Sequence, residues 1–204
     1  LLLSVVIAVL TLYAATYPFL YPPQVPEGAV VDTPKEIPDF AAITSVVTKK
    51  KAFFGYLIPE IQRQNEMVKQ DRLFVLSAAE KLDRGKTLSS TSIRKLESLI
   101  ENYRVKDTDS LSDSVKVLLS RVDVIPIELV LAQAANESAW GTSRFAQQGY
   151  NFFGLWCFKK GCGFVPSRRT EGSAHEVAKF RDLSHAVMTY IRNLNRHYAY
   201  EELR

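Results

Sequence analysis

The segment that most constrains the fold is PIELVLAQAANESAWG, from Pro126 to Gly141. Pro126 fits the first turn of a helix, because the N–H that proline lacks would have no helical partner there. The residues after it are apolar nearly all round, so we predict a central, buried helix that ends at Gly141. Glu137 lies within a turn of that end, and a carboxylate in such surroundings needs either an ionic partner or a chemical role.

Two roles, one catalytic and one structural, are open for Glu137. Burial and the negative end of the helix dipole both disfavour a charged carboxylate. A carboxylic acid that keeps its proton near neutral pH can serve as a general acid. The small residues Ala134 and Gly141 on the same helix face leave room for a substrate. In the structural alternative, Glu137 forms an ion pair with Arg144 or Arg181 and only stabilises the domain.

The first 17 residues, LLLSVVIAVLTLYAATY, carry no charge. They predict a signal peptide or a membrane anchor, with a buried core helix as the alternative. Either of the first two readings sends the rest of the chain across a membrane, so we expect the periplasm or the cell envelope, with an inner-membrane anchor if the segment is retained. Residues 18–48 contain six prolines and are predicted to form an extended linker.

Four further helices and a small β region are predicted from periodicity. Gly85 follows the first of these helices as a stop signal. Gly and Pro punctuate residues 157–181, where short β-prone runs predict one or two hairpins. The four helices cover Pro59–Leu82, Ser92–Tyr103, Ser112–Arg121 and, capped by Ser184, a stretch to about Arg196.

The positive charge is concentrated at the C-terminal end. Residues 1–150 contain 17 basic and 17 acidic side chains, whereas residues 151–204 contain 9 and 5. A basic region that is also rich in aromatic residues fits an anionic polymer ligand. No helix or loop carries a dense Lys/Arg stripe, so nucleic acid is not expected. The sequence also lacks a Gly-rich phosphate loop, so no cofactor is predicted.

Two cysteines, Cys157 and Cys162, flank a glycine turn in CFKKGC. Their spacing is not CxxC and two thiols alone make a poor zinc site, so no metal is predicted. In an exported protein the pair is expected to form a disulfide that closes a small loop. Unpaired thiols are the alternative.

The stretch LAQAANESAWGTSRFAQQGYNFFGLW resembles the start of bacterial endo-β-N-acetylglucosaminidases of glycoside hydrolase family 73, in particular the Bax-type glucosaminidase-domain proteins. The resemblance covers about residues 111–204, and KKKAFFGYLIPEI resembles the region that precedes the domain in Bax-type proteins. The ordered pattern consists of Glu137-Ser138, Trp140-Gly141, Asn151, Phe153-Gly154, Phe180-Arg181 and Tyr190.

The resemblance implies a mainly α, lysozyme-like α+β fold, with a helical domain and a small β-hairpin lobe. We therefore divide the chain into a signal or membrane segment (1–17), a linker (18–48), a helical region (49–110) and the glucosaminidase domain (111–204). The implied partner is peptidoglycan, and we expect a monomer. Membrane contact would come through the apolar start of the chain.

The resemblance also implies roles for individual residues. Glu137 would be the general acid that protonates the glycosidic oxygen between GlcNAc and MurNAc. A second carboxylate would come from the hairpin, where we favour Glu171 over Glu176, the latter lying in a strand-like run that would face solvent or touch substrate. A substrate-assisted mechanism would need neither. Tyr190 would line the cleft and orient the sugar or stabilise positive charge at the anomeric carbon.

The remaining predicted site residues shape the cleft. Asn151 is expected to brace the loop beside the substrate, and Phe153 to form the cleft floor. Trp156 is a candidate platform for a sugar ring, because the CH face of a pyranose packs well on an aromatic ring. Two other functions stay open: a lytic transglycosylase, which shares the Glu-Ser motif, and a non-catalytic cell-wall-binding scaffold.

Overall fold

The computed structural model describes residues 36–166 and 175–203. Within these ranges the fold is mainly helical, with a small three-stranded antiparallel sheet. The helices are α1 (Val46–Asp83), α2 (Ser90–Asn102), α3 (Leu111–Arg121), α4 (Ile127–Glu137), α5 (Arg144–Gly149) and α6 (Leu183–Arg196), followed by a 3-10 helix (Tyr198–Leu203). The strands are β1 (Trp156–Cys157), β2 (Gly163–Phe164) and β3 (Glu176–Ala178).

The apolar segment 1–17 and the linker up to residue 35 lie outside the described residues. None of the helices that the structure describes combines the length and apolarity required to cross a bilayer. The linker prediction is wrong for its last part, because Phe40 is fully buried and helix α1 already begins at Val46. The ring of Phe40 meets those of Phe53 and Tyr56 edge to face at 5.6 and 6.0 Å.

Helix α1 begins 13 residues earlier than the predicted start at Pro59 and includes that proline. A proline inside a helix removes one backbone hydrogen bond and crowds the carbonyl four residues earlier. Here that earlier residue is Gly55. Fully buried side chains on both sides of the proline, Phe53, Leu57 and Ile61, hold the helix together through tertiary packing. Packing therefore overrides the local cost of the proline.

The end of α1 follows the prediction from Gly85. This glycine adopts φ +67°, and its N–H donates to the carbonyl of Leu82 at 2.9 Å. The left-handed conformation suits glycine because it has no Cβ. The predicted helices Ser92–Tyr103 and Ser112–Arg121 and the last helix are also confirmed, with bounds shifted by one or two residues. The last is capped by Asp182, whose carboxylate accepts from the N–H of His185, rather than by Ser184.

Helix α1 packs against α3, α4 and α6, and polar side chains fix two of these contacts. Asn65 donates to the carbonyl of Ile125 at 2.7 Å and accepts from its N–H at 3.1 Å, which pins the turn before α4. Glu60, fully buried, accepts from Arg63 and Gln64 at 2.6 and 2.7 Å. Both of these donors also reach the Ser184 hydroxyl, at 2.6 and 3.1 Å, so the network holds the first turn of α6.

The strands form one sheet in the order β1-β3-β2, with both pairs antiparallel. Trp156 stands opposite Val177, and Gly163 stands opposite Ala178. A Cβ on Gly163 would collide with the backbone carbonyl of Val177, so the close approach of β2 requires glycine. The predicted hairpin region is thus confirmed as a three-stranded sheet, although residues 167–174 between β2 and β3 are not described.

Candidate active site

Helix α4 is not the central, buried helix that its composition predicts. Its buried residues are Val130, Ala134 and Ala135, whereas the side chain of Leu129 is 49% exposed. The helix ends at Glu137 rather than at Gly141. Small and apolar residues on its outer side line cavities at the surface rather than a core, which explains why hydrophobic composition alone gave the wrong burial.

Glu137 is exposed, which overturns the expectation that burial keeps its carboxyl group protonated. Its Oε1 accepts a hydrogen bond from Nε2 of Gln133 at 3.2 Å. Across residues 36–166 and 175–203, no ion pair involves Glu137. The predicted alternative partner Arg181 pairs instead with Asp182 at 2.8 Å, and the guanidinium of Arg144 lies 5.1 Å from the ring of Phe145.

An unusual turn ends α4 immediately after the acid. Ala139, Trp140 and Gly141 have φ values of +50°, +58° and +77°, a left-handed run that non-glycine residues rarely adopt. The hydroxyl of Ser138 stabilises the turn, since it donates to the carbonyl of Ala134 at 2.6 Å and accepts from the N–H of Gly141 at 2.8 Å. The Ser and Gly of the ESAWG pattern thus build the turn that exposes Glu137.

The partly buried side chain of Trp140 packs against the aromatic core. Its ring lies 5.5 Å from that of Phe53 and 5.6 Å from that of Phe54, in edge-to-face contact. A Cβ on Gly141 would lie 2.7 Å from Cε2 of Phe40. Packing on both sides of the turn therefore fixes the position of the C-terminal end of α4.

The loop at Gly154 presses directly against Glu137. Gly154 has φ +64°, and a Cβ built on it would lie 2.5 Å from Oε2 of Glu137. Only glycine combines this conformation with this close approach. The structure therefore brings the Asn-Phe-Phe-Gly motif to the acid. The sequence pattern contains Gly154, but its contact with the carboxylate was not predicted.

Phe153 and Tyr190 form the next layer beside the acid. Their rings stack with centroids 4.3 Å apart and planes 10° from parallel, and both side chains are buried. Burial raises the pKa of Tyr190 to about 12, and the charges of Tyr200 and Glu137 add to the effect. Tyr190 is therefore neutral at physiological pH and carries a hydroxyl proton that it can donate.

Asn151 braces the loop that carries Phe153 and Gly154. Its buried amide donates to the carbonyls of Leu155 and Ala178 at 2.8 and 2.9 Å, and its oxygen accepts from the N–H of Leu155 at 3.0 Å. With these three bonds the amide ties the loop to the residue that ends β3. The side chain thus acts as an internal brace.

Glu176 is 3% exposed, so the expectation that it faces solvent is wrong. Its Oε1 accepts from the N–H of Gly161 at 2.9 Å, and its Oε2 accepts from the N–H of Gly163 at 2.8 Å. Cys157 and Cys162 form the predicted disulfide across the same loop. Glu176 and the disulfide together close the loop after β1. Because both carboxylate oxygens are occupied, the geometry favours a structural role over direct contact with substrate.

The side chain of Trp156 is 51% exposed. Its ring meets that of His175 edge to face at 4.9 Å, and β1 holds its backbone against β3. Only Leu155 separates it from Gly154 along the chain, so the ring stands on the loop that packs against the acid. Glu171 lies outside the described residues.

A cavity near the site lies on the other side of α4. It has a volume of about 610 Å³, and its lining includes Phe54, Leu131 and Trp140 but not Glu137. Residues on the α4 wall of this cavity are half a helical turn away from Glu137. The acid itself is open to solvent along the surface between Gln133 and Gly154.

Comparisons with known proteins give a family match and a relative. Residues 112–204 match the Glucosaminidase family, described as mannosyl-glycoprotein endo-beta-N-acetylglucosaminidase, which supports a glycoside hydrolase-like enzyme. The chain is also 32% identical over 169 residues to Protein bax of Escherichia coli (strain K12). That alignment covers 82% of this chain and 58% of the relative. No solved structure matches the chain. These matches support a Bax-type protein that carries a glucosaminidase domain.

Proposed function

We propose that this protein cleaves the β-1,4 bond between GlcNAc and MurNAc in peptidoglycan, with Glu137 as the general acid. The observation that carries the proposal is the position of the carboxylate: it is exposed, has no ion pair in the described part of the chain, and packs against Gly154. Because no described ion pair holds it, the carboxyl group is free to come within hydrogen-bond reach of the glycosidic oxygen of a bound strand.

An exposed acid still needs to be protonated when it acts. A sugar strand bound over Glu137 would exclude water from the carboxyl group and so favour its neutral form. The stacked pair of Phe153 and Tyr190 beside it supplies an apolar floor and a hydroxyl donor. In this proposal the substrate provides the burial that the free protein lacks.

The second group of the reaction is proposed to be Glu171 or the N-acetyl group of the substrate. Glu176 is the weaker candidate because its oxygens already accept two backbone N–H bonds. A base would have to reach a water on the far face of the sugar ring, which requires an accessible carboxylate. The disulfide also supports the proposal that the protein works in the periplasm or cell envelope.

The test is digestion of purified peptidoglycan by the wild-type protein and by Glu137→Gln, with the products identified by mass spectrometry. We expect reducing GlcNAc ends from the wild type and a loss of at least 100-fold in rate for the variant, since removing a general acid costs about that much. Thermal unfolding of the two proteins should agree, because the exposed Glu137 has no described ion pair to lose.

Two outcomes would contradict the proposal in different ways. Products with 1,6-anhydro MurNAc ends would show that the protein is a lytic transglycosylase. No products from the wild type, or equal rates for both proteins, would favour a non-catalytic wall-binding scaffold.

A further inference from the structure

A second cavity, of about 540 Å³, opens at the N-terminal end of α4. It lies between the turn that precedes α4, the last turn of α6 and the 3-10 helix. None of the residues that line it belongs to the acid, the loop at Gly154 or the sheet. The lining residues that matter here are Arg72, Asp123, Leu129, Leu194, Asn195 and Tyr200.

One side of α4 connects this cavity to the acid. Leu129, Gln133 and Glu137 follow one another at intervals of four residues and so lie along the same side of the helix. Leu129 and Glu137 are about 12 Å apart along the axis, at 1.5 Å per residue. Gln133 lies between them on this side and donates to Glu137 at 3.2 Å.

Helix α6 forms the opposite wall, running in the reverse direction. Tyr190 lies near Glu137, and Leu194 is one turn further along α6 at the cavity. Asn195 donates to the carbonyl of Asp123 at 2.6 Å, which fixes the far end of the helix beside the turn before α4. Tyr200 and Glu137 both raise the pKa of Tyr190, so both lie near its hydroxyl.

The lining has the chemistry that an N-acetylated sugar requires. The ring of Tyr200 offers a face for the CH groups of a pyranose, and the half-exposed Leu129 offers an apolar contact for a methyl group. The half-exposed carboxylate of Asp123 can accept hydrogen bonds from sugar hydroxyls. Arg72 is held beside it by the carbonyls of Leu119 and Val122, both at 2.8 Å, so the polar wall is already in place.

We propose that this cavity is a distal sugar subsite, which holds an N-acetylated sugar of the same glycan strand that is cleaved beside Glu137. The inference rests on the proposed function and adds to it that the protein prefers long strands. A strand would lie along the side of α4, with the scissile bond at Glu137 and a remote sugar on Tyr200. Binding energy from the remote sugar would then hold the strand in register.

The test compares Tyr200→Ala with a matched control, Tyr198→Ala. Tyr198 stands on the same 3-10 helix but is 80% exposed and does not line the cavity. Two peptide-free substrates are compared: long glycan strands, and the shortest glycan oligosaccharide that the protein cleaves. We expect Tyr200→Ala to raise the ratio of KM on long strands to KM on the short substrate about tenfold, as for one lost aromatic contact. Tyr198→Ala should leave that ratio unchanged, and Tyr200→Phe should retain most of the wild-type ratio.

An unchanged ratio in Tyr200→Ala would overturn the subsite. An effect seen only on peptidoglycan with its peptide stems would show that the cavity binds peptide rather than sugar, which would also overturn it. Binding of Glu137→Gln to peptide-free strands, measured with and without Tyr200→Ala, separates this inference from the reaction. If the wild type cleaves nothing but Tyr200→Ala still weakens binding about tenfold, the subsite stands and the proposed reaction fails.

Discussion

Substitution of Gly154 by alanine offers the sharpest test of the site's geometry. The added Cβ would lie 2.5 Å from Oε2 of Glu137, whereas ordinary contact begins at about 3.4 Å. The carboxylate therefore has to move by about 1 Å, or the loop has to move away from it. A displacement of that size at a reacting group can cost about 100-fold in rate. We expect Gly154→Ala to lower kcat/KM on peptidoglycan by about that factor.

The same substitution also strains the backbone, and a matched control isolates that effect. Gly85 has φ +67°, almost the same as the +64° of Gly154, but a Cβ there would meet nothing within 4 Å. Each alanine variant should lose about 1–2 kcal/mol of unfolding free energy through the left-handed conformation. Only Gly154→Ala should lose activity.

The measurements are chemical denaturation of both variants and initial rates of peptidoglycan digestion. If Gly154→Ala keeps wild-type activity while Gly85→Ala shows the same loss of stability, the position of the Glu137 carboxylate does not control the reaction. Equal losses of activity in both variants would mean that global destabilisation, rather than the local contact, is responsible.

Two further predictions concern the hairpin and Tyr190. Glu176→Gln removes one of the two oxygens that accept from the N–H groups of Gly161 and Gly163, so we expect the unfolding free energy, measured by chemical denaturation, to fall by about 1–3 kcal/mol. The same variant should lower kcat less than Glu171→Gln does. Equal falls in kcat would refute the choice of Glu171. Because the pKa of Tyr190 is raised to about 12, its contribution to stability is complete below pH 10 and lost as the pH rises through 12. Tyr190→Phe should therefore show a weaker decline in stability between pH 10 and 12, and an unchanged decline would contradict the burial of this hydroxyl.

The sequence predicts best where one local rule decides the structure. Gly85 ends α1 because a left-handed residue is needed there, and the cysteines pair because they flank a turn. Periodicity located α2, α3 and α6 to within two residues, whereas the short helix α5 was not predicted. The start of α1 was missed because the local rule for Pro59 is overridden by core side chains on either side of it, which no local pattern reveals.

The sequence predicted the residues of the candidate site but not their burial. The family pattern contains Glu137, Phe153 and Tyr190. In the structure Glu137 lies beside the loop that carries Phe153, and the ring of Phe153 stacks on that of Tyr190. Burial was wrong in opposite directions for two acids: Glu137 is exposed and Glu176 is buried. Composition cannot supply this information, because exposure depends on which side of a helix or strand meets the rest of the fold.

The long helix α1 bears on the site although it carries none of the site residues. Asn65 fixes the turn from which α4 starts, and the Glu60 network fixes the first turn of α6. These are the helices that carry Glu137 and Tyr190. Residues 112–204 match the glucosaminidase family, but α1 and those residues belong to one compact unit, Thr33–Arg204. The region before the domain therefore helps to set the distance between Glu137 and Tyr190. A shift of α1 would move α4 and α6 independently of each other, because α1 contacts each of them through different side chains.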